Sequence, residues 1–397
     1  MIVGKQDIPA HSNARERENA ATIPVYAQFP FVAERASGCD IFTSDGRRIL
    51  DLYGGHAVAA LGYGHPRLMR AIQEQTQRLL FQSNAVPLEV RARAAELLVS
   101  VAPSNLSRAF FVNSGAEANE NALRIACMVS GRKKVLAITQ GFHGRTAAAA
   151  AVTWNAASKW YGFPYLPFDV EFIPRNDVDA AHTMIDADVA AVIFEPVQGV
   201  AGAFDLSPEF VTALRQATRA CGVLLIADEV QSGMGRSGRF FAVETYQVQP
   251  DMLTTAKAMG GGIPCSALLV DEELCSAVKP GDLGTTFGGG PVAAAATIAV
   301  IEAIRDENLL DNVRKREAEI REHCVVGPVK SIQGMGLLLG LVCDRPASEI
   351  HAHLLDHDIL AGTSADPNVI RLLPPLVLQS EHVQRLAKTL ASIVPKT

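Results

Sequence analysis

The sequence lacks the features that mark membrane proteins and nucleic-acid-binding proteins. No apolar run reaches the roughly 20 residues that a membrane-spanning helix needs. The formal net charge is −6, and Lys and Arg residues are not concentrated in any stretch of the chain. The first twenty residues are polar and contain no apolar signal-peptide core. We therefore expect neither a membrane nor a nucleic acid to be the main partner.

Metal-binding and nucleotide-binding motifs are also missing. The seven cysteines form no C-x-x-C pair and their number is odd, which argues against a structural zinc site or a disulfide framework. Neither the phosphate-loop motif G-x-x-x-x-G-K-[ST] nor a G-x-G-x-x-G linked to a strand is present, which argues against a nucleotide-binding enzyme. These absences predict a metal-free protein in the reducing cytoplasm.

What the chain has in abundance is short apolar runs that alternate with helical stretches. The predicted strands are 108–112, 134–139, 189–194, 223–227 and 267–270. Helices are predicted between them, for example over 116–129 and 208–221. Apolar strands that alternate with helices are typical of an α/β fold, in which helices cover both faces of a mostly parallel sheet.

A glycine-rich break separates this region from the C-terminal part of the chain. Gly288, Gly289 and Gly290 precede an Ala-rich helix, predicted over 292–305, and a mixture of helices and strands follows. We therefore predict a large domain over 51–290 and a smaller α+β domain over 291–397. The N-terminal segment, residues 1–50, is predicted to join the smaller domain.

The first candidate binding segment lies where the strand 108–112 leads into a helix. Backbone N–H groups at a helix start are unpaired and lie at the positive end of the helix dipole, which suits a phosphate. Ser114 and Glu117 have the spacing of an S-x-x-E capping box, which is the alternative interpretation of the same residues.

Two charged residues stand in unusual surroundings. Asp228 ends an apolar strand, at the sheet edge where ligands collect in α/β folds, and its carboxylate suits a protonated ring nitrogen. A solvated acid at a strand end is the alternative. Lys257 stands among small and apolar residues before three glycines. In a desolvated pocket the pKa of a lysine falls and its amine becomes a nucleophile.

Two further segments carry candidate binding groups. Phe142 is suited to stacking on a planar ring, and Arg145 to gripping a carboxylate. We interpret His143, which lies between them, as a packing or hydrogen-bonding residue instead of an acid or base. Thr285 and Thr286 lie in a glycine-rich loop that suits phosphate or substrate oxygens, with an ordinary turn as the alternative.

In their order and joint presence, these segments resemble the class III aminotransferases of the type I pyridoxal-5′-phosphate (PLP) fold, most closely the acetylornithine/ornithine aminotransferase group. The resemblance covers nearly the whole chain. It begins with GHAVAALGYGHP at 55–66, runs through EPVQG at 195–199, and ends with VIRLLPPL at 369–376. It implies a large domain with a mostly parallel seven-stranded sheet that binds PLP, a smaller α+β domain, and homodimers with shared active sites.

The resemblance implies a role for each matching residue. Lys257 would form the Schiff base with PLP, and Asp228 would keep the pyridine nitrogen protonated. The other implied cofactor contacts are Gly115 and Ala116 to the phosphate, Phe142 stacked on the ring, Val230 beneath it, Gln231 at its hydroxyl, and Thr286 at the phosphate in the partner subunit. The implied substrate contacts are Arg145, Thr285 and Arg371, of which Arg371 would take the α-carboxylate.

The implied activity moves an amino group from the ω-amine of an acylated ornithine-like donor to 2-oxoglutarate by a ping-pong mechanism. The alternatives are another class III PLP enzyme, either a transaminase for a different ω-amino acid or an aminomutase, and a non-catalytic protein with this fold. The intact Lys257, Asp228 and Arg145 argue against the last alternative.

The chain departs from the family pattern at three positions. Ornithine-type relatives have a glutamate after the glycine of E-P-x-Q-G, and that acid pairs with the carboxylate-binding arginine. Val200 occupies the position here, so we predict that Arg371 is permanently free for a carboxylate. Ala59 and Gly290 each stand where the family has an asparagine. These changes leave Lys257 and Asp228 in place but leave the identity of the amino donor open.

Overall fold

The computed structural model describes residues 13–394. Its strands are β1 (Ala33–Ser37), β2 (Asp40–Thr43), β3 (Arg48–Asp51), β4 (Arg108–Val112), β5 (Lys134–Ile138), β6 (Asp169–Ile173), β7 (Val189–Phe194), β8 (Val197–Gln198), β9 (Phe204–Asp205), β10 (Leu224–Asp228), β11 (Met252–Thr255), β12 (Ser266–Val270), β13 (Val329–Met335), β14 (Leu338–Cys343), β15 (Ile359–Leu360) and β16 (Val369–Leu372).

Helices connect most of these strands. They are α1 (Ala14–Ala21), α2 (Gly54–Ala57), α3 (Pro66–Arg78), α4 (Glu89–Ser100), α5 (Gly115–Ser130), α6 (Ala147–Ala151), α7 (Ala156–Lys159), α8 (Val178–Met184), α9 (Pro208–Cys221), α10 (Glu272–Ala277), α11 (Pro291–Asp306), α12 (Leu309–His323), α13 (Ala347–Asp356) and α14 (Ser380–Ala391). Over residues 13–394, none of these helices is long and apolar enough to cross a membrane.

The largest sheet has seven strands in the order β4-β12-β11-β10-β7-β5-β6. Strand β12 runs antiparallel to both of its neighbours, and the other pairs are parallel. The predicted α/β fold with a mostly parallel seven-stranded sheet is therefore confirmed. Because β4, β5, β10 and β11 run in the same direction, the loops that follow them meet at one edge of the sheet.

Apolar side chains cover both faces of this sheet. Along β7, Ile193 joins a cluster with buried residues of α5, whereas Val192 and Phe194 join a cluster with buried residues of α9. Alternate residues of a strand point to opposite faces, so the two helices lie on opposite sides of the sheet. This arrangement explains why β7 is buried along its whole length and reads as a continuous apolar run.

Smaller sheets lie outside this layer. Strands β1, β2, β3 and β15 form one sheet, in which β3 pairs in parallel with β15, and β13, β14 and β16 form an antiparallel sheet. The pairing of β3 with β15 supports our proposal that the N-terminal segment 1–50 joins a C-terminal domain over 291–397. Residues 1–12 and 395–397 of these proposed units lie outside the described part of the chain.

Candidate active site

A cavity of about 500 Å³ opens at the sheet edge where β4, β5, β10 and β11 end. Eight of the residues singled out in the sequence line it: Gly115, Ala116, Phe142, Arg145, Asp228, Val230, Gln231 and Lys257. They come from four separate stretches of sequence. The fold thus brings the predicted phosphate, ring and lysine residues together around one space.

Three predicted site residues do not line this cavity. Thr285 lies behind the lining residue Asn113, whose side chain donates a hydrogen bond to the Thr285 hydroxyl at 3.3 Å. Thr286 is exposed on the surface. Arg371 is buried on β16, where it donates to the carbonyl oxygens of Thr363 (2.7 Å) and Gly199 (3.1 Å).

The start of α5 contains both features that the sequence left as alternatives. Ser114 Oγ accepts from the Glu117 N–H at 3.2 Å, and Glu117 Oε2 accepts from the N–H groups of Asn113 (2.7 Å) and Ser114 (2.9 Å). These capping contacts use neither the N–H of Gly115 nor that of Ala116. A capping box is therefore present, and it leaves two donors at the positive end of the helix for an anion.

Gly115 is required by the close approach of Val230. A Cβ atom at position 115 would lie 2.6 Å from Val230 Cγ1, which is closer than a packed side chain tolerates. The helix start therefore packs directly against the second residue after β10. This contact sets the distance between the free N–H groups of α5 and Asp228, which ends that strand.

Asp228 is held in place by three hydrogen-bond donors. Its Oδ2 accepts from Asn119 Nδ2 and from His143 Nδ1, both at 2.7 Å, and its Oδ1 accepts from the Val230 N–H at 3.0 Å. These contacts fix the position of a buried carboxylate at the cavity wall, with His143 in a hydrogen-bonding position.

Lys257 lies two residues after the end of β11, in a strained backbone conformation. Its φ of +47° falls in the left-handed region, which non-glycine residues adopt at an energetic cost and often at functional sites. Burial lowers the pKa of its amine, while the negative charges of Asp228 and Glu195 act in the opposite direction. The lysine is therefore shifted toward the neutral amine that a nucleophile requires.

Aromatic rings surround the Arg145 side chain. Its guanidinium carbon lies 4.5 Å from the centre of the Trp160 ring and 6.0 Å from that of Phe142. The shorter distance is within the range of a cation–π interaction. The contact with Trp160 thus holds the exposed Arg145 at the mouth of the cavity.

The sequence assigned no role to two residues that the structure places at the cavity wall. Asn119 donates to Asp228 and to the carbonyl of His143 (2.8 Å), and accepts from Thr254 Oγ1 (2.6 Å). Glu195 is buried, and burial raises its pKa to about 7. An available signal for Asn119 was its place in the first turns of α5, amid buried alanines.

Comparison with known proteins identifies the family. The family described as Aminotransferase class-III matches residues 22–394. The chain belongs to the class III aminotransferases. An acetylornithine aminotransferase from Methanopyrus kandleri is 40% identical over 96% of this chain and 98% of that relative. A [LysW]-aminoadipate semialdehyde transaminase from Deinococcus radiodurans is 34% identical over 97% of this chain and 90% of that relative.

Solved structures support the same assignment. The ornithine aminotransferase from Toxoplasma gondii superimposes with a TM-score of 0.89 at 28% identity, over 97% of this class III aminotransferase and 96% of that chain. That structure shows partial occupancy of PLP at its active site. The resemblance predicted from the sequence is confirmed, as is the type I PLP fold. Members of the family use PLP.

The described part of this class III aminotransferase contains no cluster of potential metal-binding side chains. Within residues 13–394, no set of three or more His, Cys, Asp or Glu side chains is placed to hold an ion.

Proposed function

We propose that this class III aminotransferase uses PLP to move an amino group from the ω-amine of an acylated ornithine-like donor to 2-oxoglutarate. The observation that carries the proposal is the placement of Lys257 and Asp228 on one cavity, beside a helix start with two free N–H donors. A ping-pong mechanism follows, because the same cavity has to serve the donor and the acceptor in turn.

The lining residues fit PLP in charge and shape. The N–H groups of Gly115 and Ala116 suit its phosphate, and the Asp228 carboxylate suits a protonated ring nitrogen. Gln231 Oε1 is buried without a hydrogen-bond partner among the described residues, so the side-chain amide of this lining residue is available to a ligand. When bound, PLP supplies an electron sink for the carbanion of the amino donor.

Residues of the chain would transfer the proton, stabilise the charge on the cofactor and exclude water. The Lys257 Nζ atom would take a proton from the donor carbon that bears the amino group and deliver it to the carbon of bound PLP that carries the nitrogen, which a neutral amine in a dry site can do. Asp228, fixed by Asn119 and His143, would stabilise the positive charge of the protonated ring nitrogen of bound PLP. The Phe142 ring and the Val230 side chain provide apolar walls that exclude water.

Two arginines are available for the carboxylates of the substrates. Arg145 lies at the mouth of the cavity, and Arg371 lies deeper, where its positive charge lowers the pKa of Lys257. Arg371 makes no ion pair with an acid among residues 13–394, and Val200 on the cavity wall brings no charge to it. This supports our proposal that Arg371 stays open to the carboxylate of either substrate.

A second donor class is favoured by a specific observation. Relatives named as transaminases for [LysW]-aminoadipate semialdehyde are 34% and 37% identical to this chain, in the same range as relatives named as acetylornithine aminotransferases. The alternative is therefore a transaminase for a longer ω-amino acid with a blocked α-amine. Rates with the two donor types distinguish these candidates, and an aminomutase is excluded if turnover requires 2-oxoglutarate.

We further propose a homodimer with shared active sites. Phe287 is 65% exposed and Phe81 41%, and their ring centres lie 5.3 Å apart. Thr286, next to Phe287, is exposed as well. An exposed aromatic pair of this kind is typical of a protein interface, and a second copy placed there would bring the partner's cavity within reach of Thr286.

We also propose a cytoplasmic location. All seven cysteines lie within the described residues and carry free thiols. Free thiols in this number are typical of proteins in a reducing compartment.

The experiment that tests the proposed function replaces Lys257 with alanine. Wild-type protein is expected to keep a visible absorbance band after dialysis, and the correct donor should bleach it. K257A should lose the band and lower the transamination rate by about 10²–10⁴-fold or more, because a positioned acid–base group is removed. The exposed Lys315 provides the matched control, and K315A should behave as wild type. A K257A protein that stays coloured and active contradicts the proposal.

A further inference from the structure

Glu195 joins two loops at the cavity with a single carboxylate. It directly follows β7 and is almost completely buried. Its Oε1 accepts from the N–H of Phe142 at 2.8 Å, and its Oε2 accepts from the N–H of Gly199 at 3.2 Å. Phe142 belongs to the loop after β5, and Gly199 to the loop between β8 and β9. Each oxygen therefore holds the backbone of a different loop.

Gly199 passes this contact on to two further residues. Its carbonyl accepts from Arg371 Nη1 at 3.1 Å. A Cβ atom at position 199 would collide with the side-chain oxygen of Gln231, so the backbone of Gly199 packs against that amide. The position of Gly199 thus sets the place of one arginine and of one residue on the cavity wall.

The two N–H groups explain why this position needs a carboxylate instead of an amide. Both donors point at the side chain of residue 195, and each requires an acceptor. A carboxylate offers two acceptor oxygens, whereas a glutamine offers one oxygen and an NH₂ group that would oppose the second N–H. Burial raises the pKa of Glu195 to about 7, with Asp228 acting in the same direction and His143 in the opposite one.

We propose that Glu195 is a positioning residue, which fixes the Phe142 loop and, through Gly199, the Arg371 guanidinium in one arrangement. The ring of the cofactor and the carboxylate of the substrate are then oriented by the same side chain. The proposal rests on the proposed function for its catalytic consequences, but its structural part concerns only contacts within the chain.

The test compares E195Q with E229Q. Glu229 is an equally buried glutamate whose pKa burial also raises to about 7, and it accepts from the Val243 N–H (2.6 Å) and from Ser232 Oγ (2.5 Å). It does not line the cavity. Both variants should lose stability. In E195Q alone, the visible circular dichroism of bound PLP should change, and KM for 2-oxoglutarate should rise at least about tenfold, because Arg371 is displaced.

A second readout needs neither cofactor nor substrate. In the cofactor-free protein, hydrogen exchange at the amides of Phe142 and Gly199 should be faster in E195Q than in wild type and unchanged in E229Q. If E195Q and E229Q have the same exchange, dichroism and KM, the positioning role is wrong. If the wild type fails to transaminate any donor, the proposed function fails, while the exchange experiment still tests the contacts of Glu195.

Discussion

At the scale of single residues, the cavity is defined by which buried charges have partners. Asp228 receives three hydrogen bonds, whereas Arg371 donates to carbonyl oxygens and forms no ion pair with an acid among the described residues. Its buried positive charge therefore has no directly paired counter-charge. The carboxylate of a substrate would supply that counter-charge. Because the side chain of Val200 is uncharged, it does not compete with the substrate for Arg371.

Introducing an acid at position 200 should close Arg371 to one substrate. We expect V200E to raise KM for 2-oxoglutarate about tenfold, the size of a lost hydrogen bond between charged groups, with a smaller change for the amino donor. Steady-state kinetics of both half-reactions provide the measurement. V200Q has the same shape without the charge and should show less than half of this effect on a logarithmic scale. Unchanged kinetics for both substrates in V200E would contradict the open arginine.

Glu229 gives a prediction for the pH dependence of stability. Burial raises its pKa from 4.5 to about 7, so the folded state binds more protons than the unfolded state between these values. Its stabilising contribution is therefore complete below pH 4.5 and is lost as the pH rises to about 7. Urea unfolding at several pH values should show E229Q gaining on wild type by at most about 1.4 kcal/mol per pH unit over this window. A constant difference between the two proteins would refute the prediction.

The sequence predicted the residues on the cavity wall better than it predicted the contacts between them. Lys257 and Asp228 stood out because a charged side chain next to an apolar run is unusual. Asn119, a partner of Asp228, did not, because it is 109 positions away along the chain and approaches the carboxylate only when α5 packs on the sheet. The role of Glu195 also depends on two backbone N–H groups, one of which, that of Phe142, is 53 positions away along the chain and is not revealed by any local pattern.

At the scale of elements, the start of α5 is the most constrained junction of the fold. The capping box closes the helix, and the contact between Gly115 and Val230 holds its first turn against the end of β10. These two features have different purposes. The cap stabilises the helix itself, whereas the glycine sets the distance from the helix to Asp228.

Adding a methyl group at position 115 should change the distance from the helix to Asp228 without removing the helix cap. G115A should weaken PLP binding by about 10–100-fold, because overpacking of this size costs about 1–3 kcal/mol. The double variant G115A/V230A removes both methyl groups nearest to the new Cβ and should recover part of the affinity. G131A, at the other end of α5, is the control, since it meets no atom within 4 Å and should lower stability without changing PLP affinity. PLP titration by fluorescence provides the readout, and no recovery in the double variant would contradict the packing argument.

The apolar strands of the large sheet were predicted to within one residue at each end, and less apolar strands were missed. Strands β4 and β7 and helix α9 have the predicted ends. Strand β6 was not predicted, because it lies at the edge of the sheet and alternates exposed acids with half-buried residues. Strand β11 was not predicted either; it has only four residues, two of them threonines, and ends two residues before Lys257. Its burial depends on neighbouring strands that local sequence does not reveal.

At the scale of the whole molecule, one exposed aromatic pair predicts how two copies meet. F287E places a charge in the proposed interface of Phe81 and Phe287 and should shift the protein toward a monomer. Analytical ultracentrifugation measures this, and transamination should fall with the dimer fraction, because Thr286 would no longer reach the partner. V325E alters another exposed apolar residue, 46% exposed after α12, and should remain dimeric. A monomeric wild type, or a dimeric and fully active F287E, would refute the proposed interface.

The pairing of β3 with β15 has a consequence for how the protein is made. Leu50 and its pairing partner Ile359 are separated by most of the chain. On the ribosome, the early strands β1 to β3 therefore emerge long before the strand that completes their sheet. Until then β3 presents an open edge, which is a site for aggregation. The yield of native protein should thus depend on the time that passes between the synthesis of β3 and the synthesis of β15.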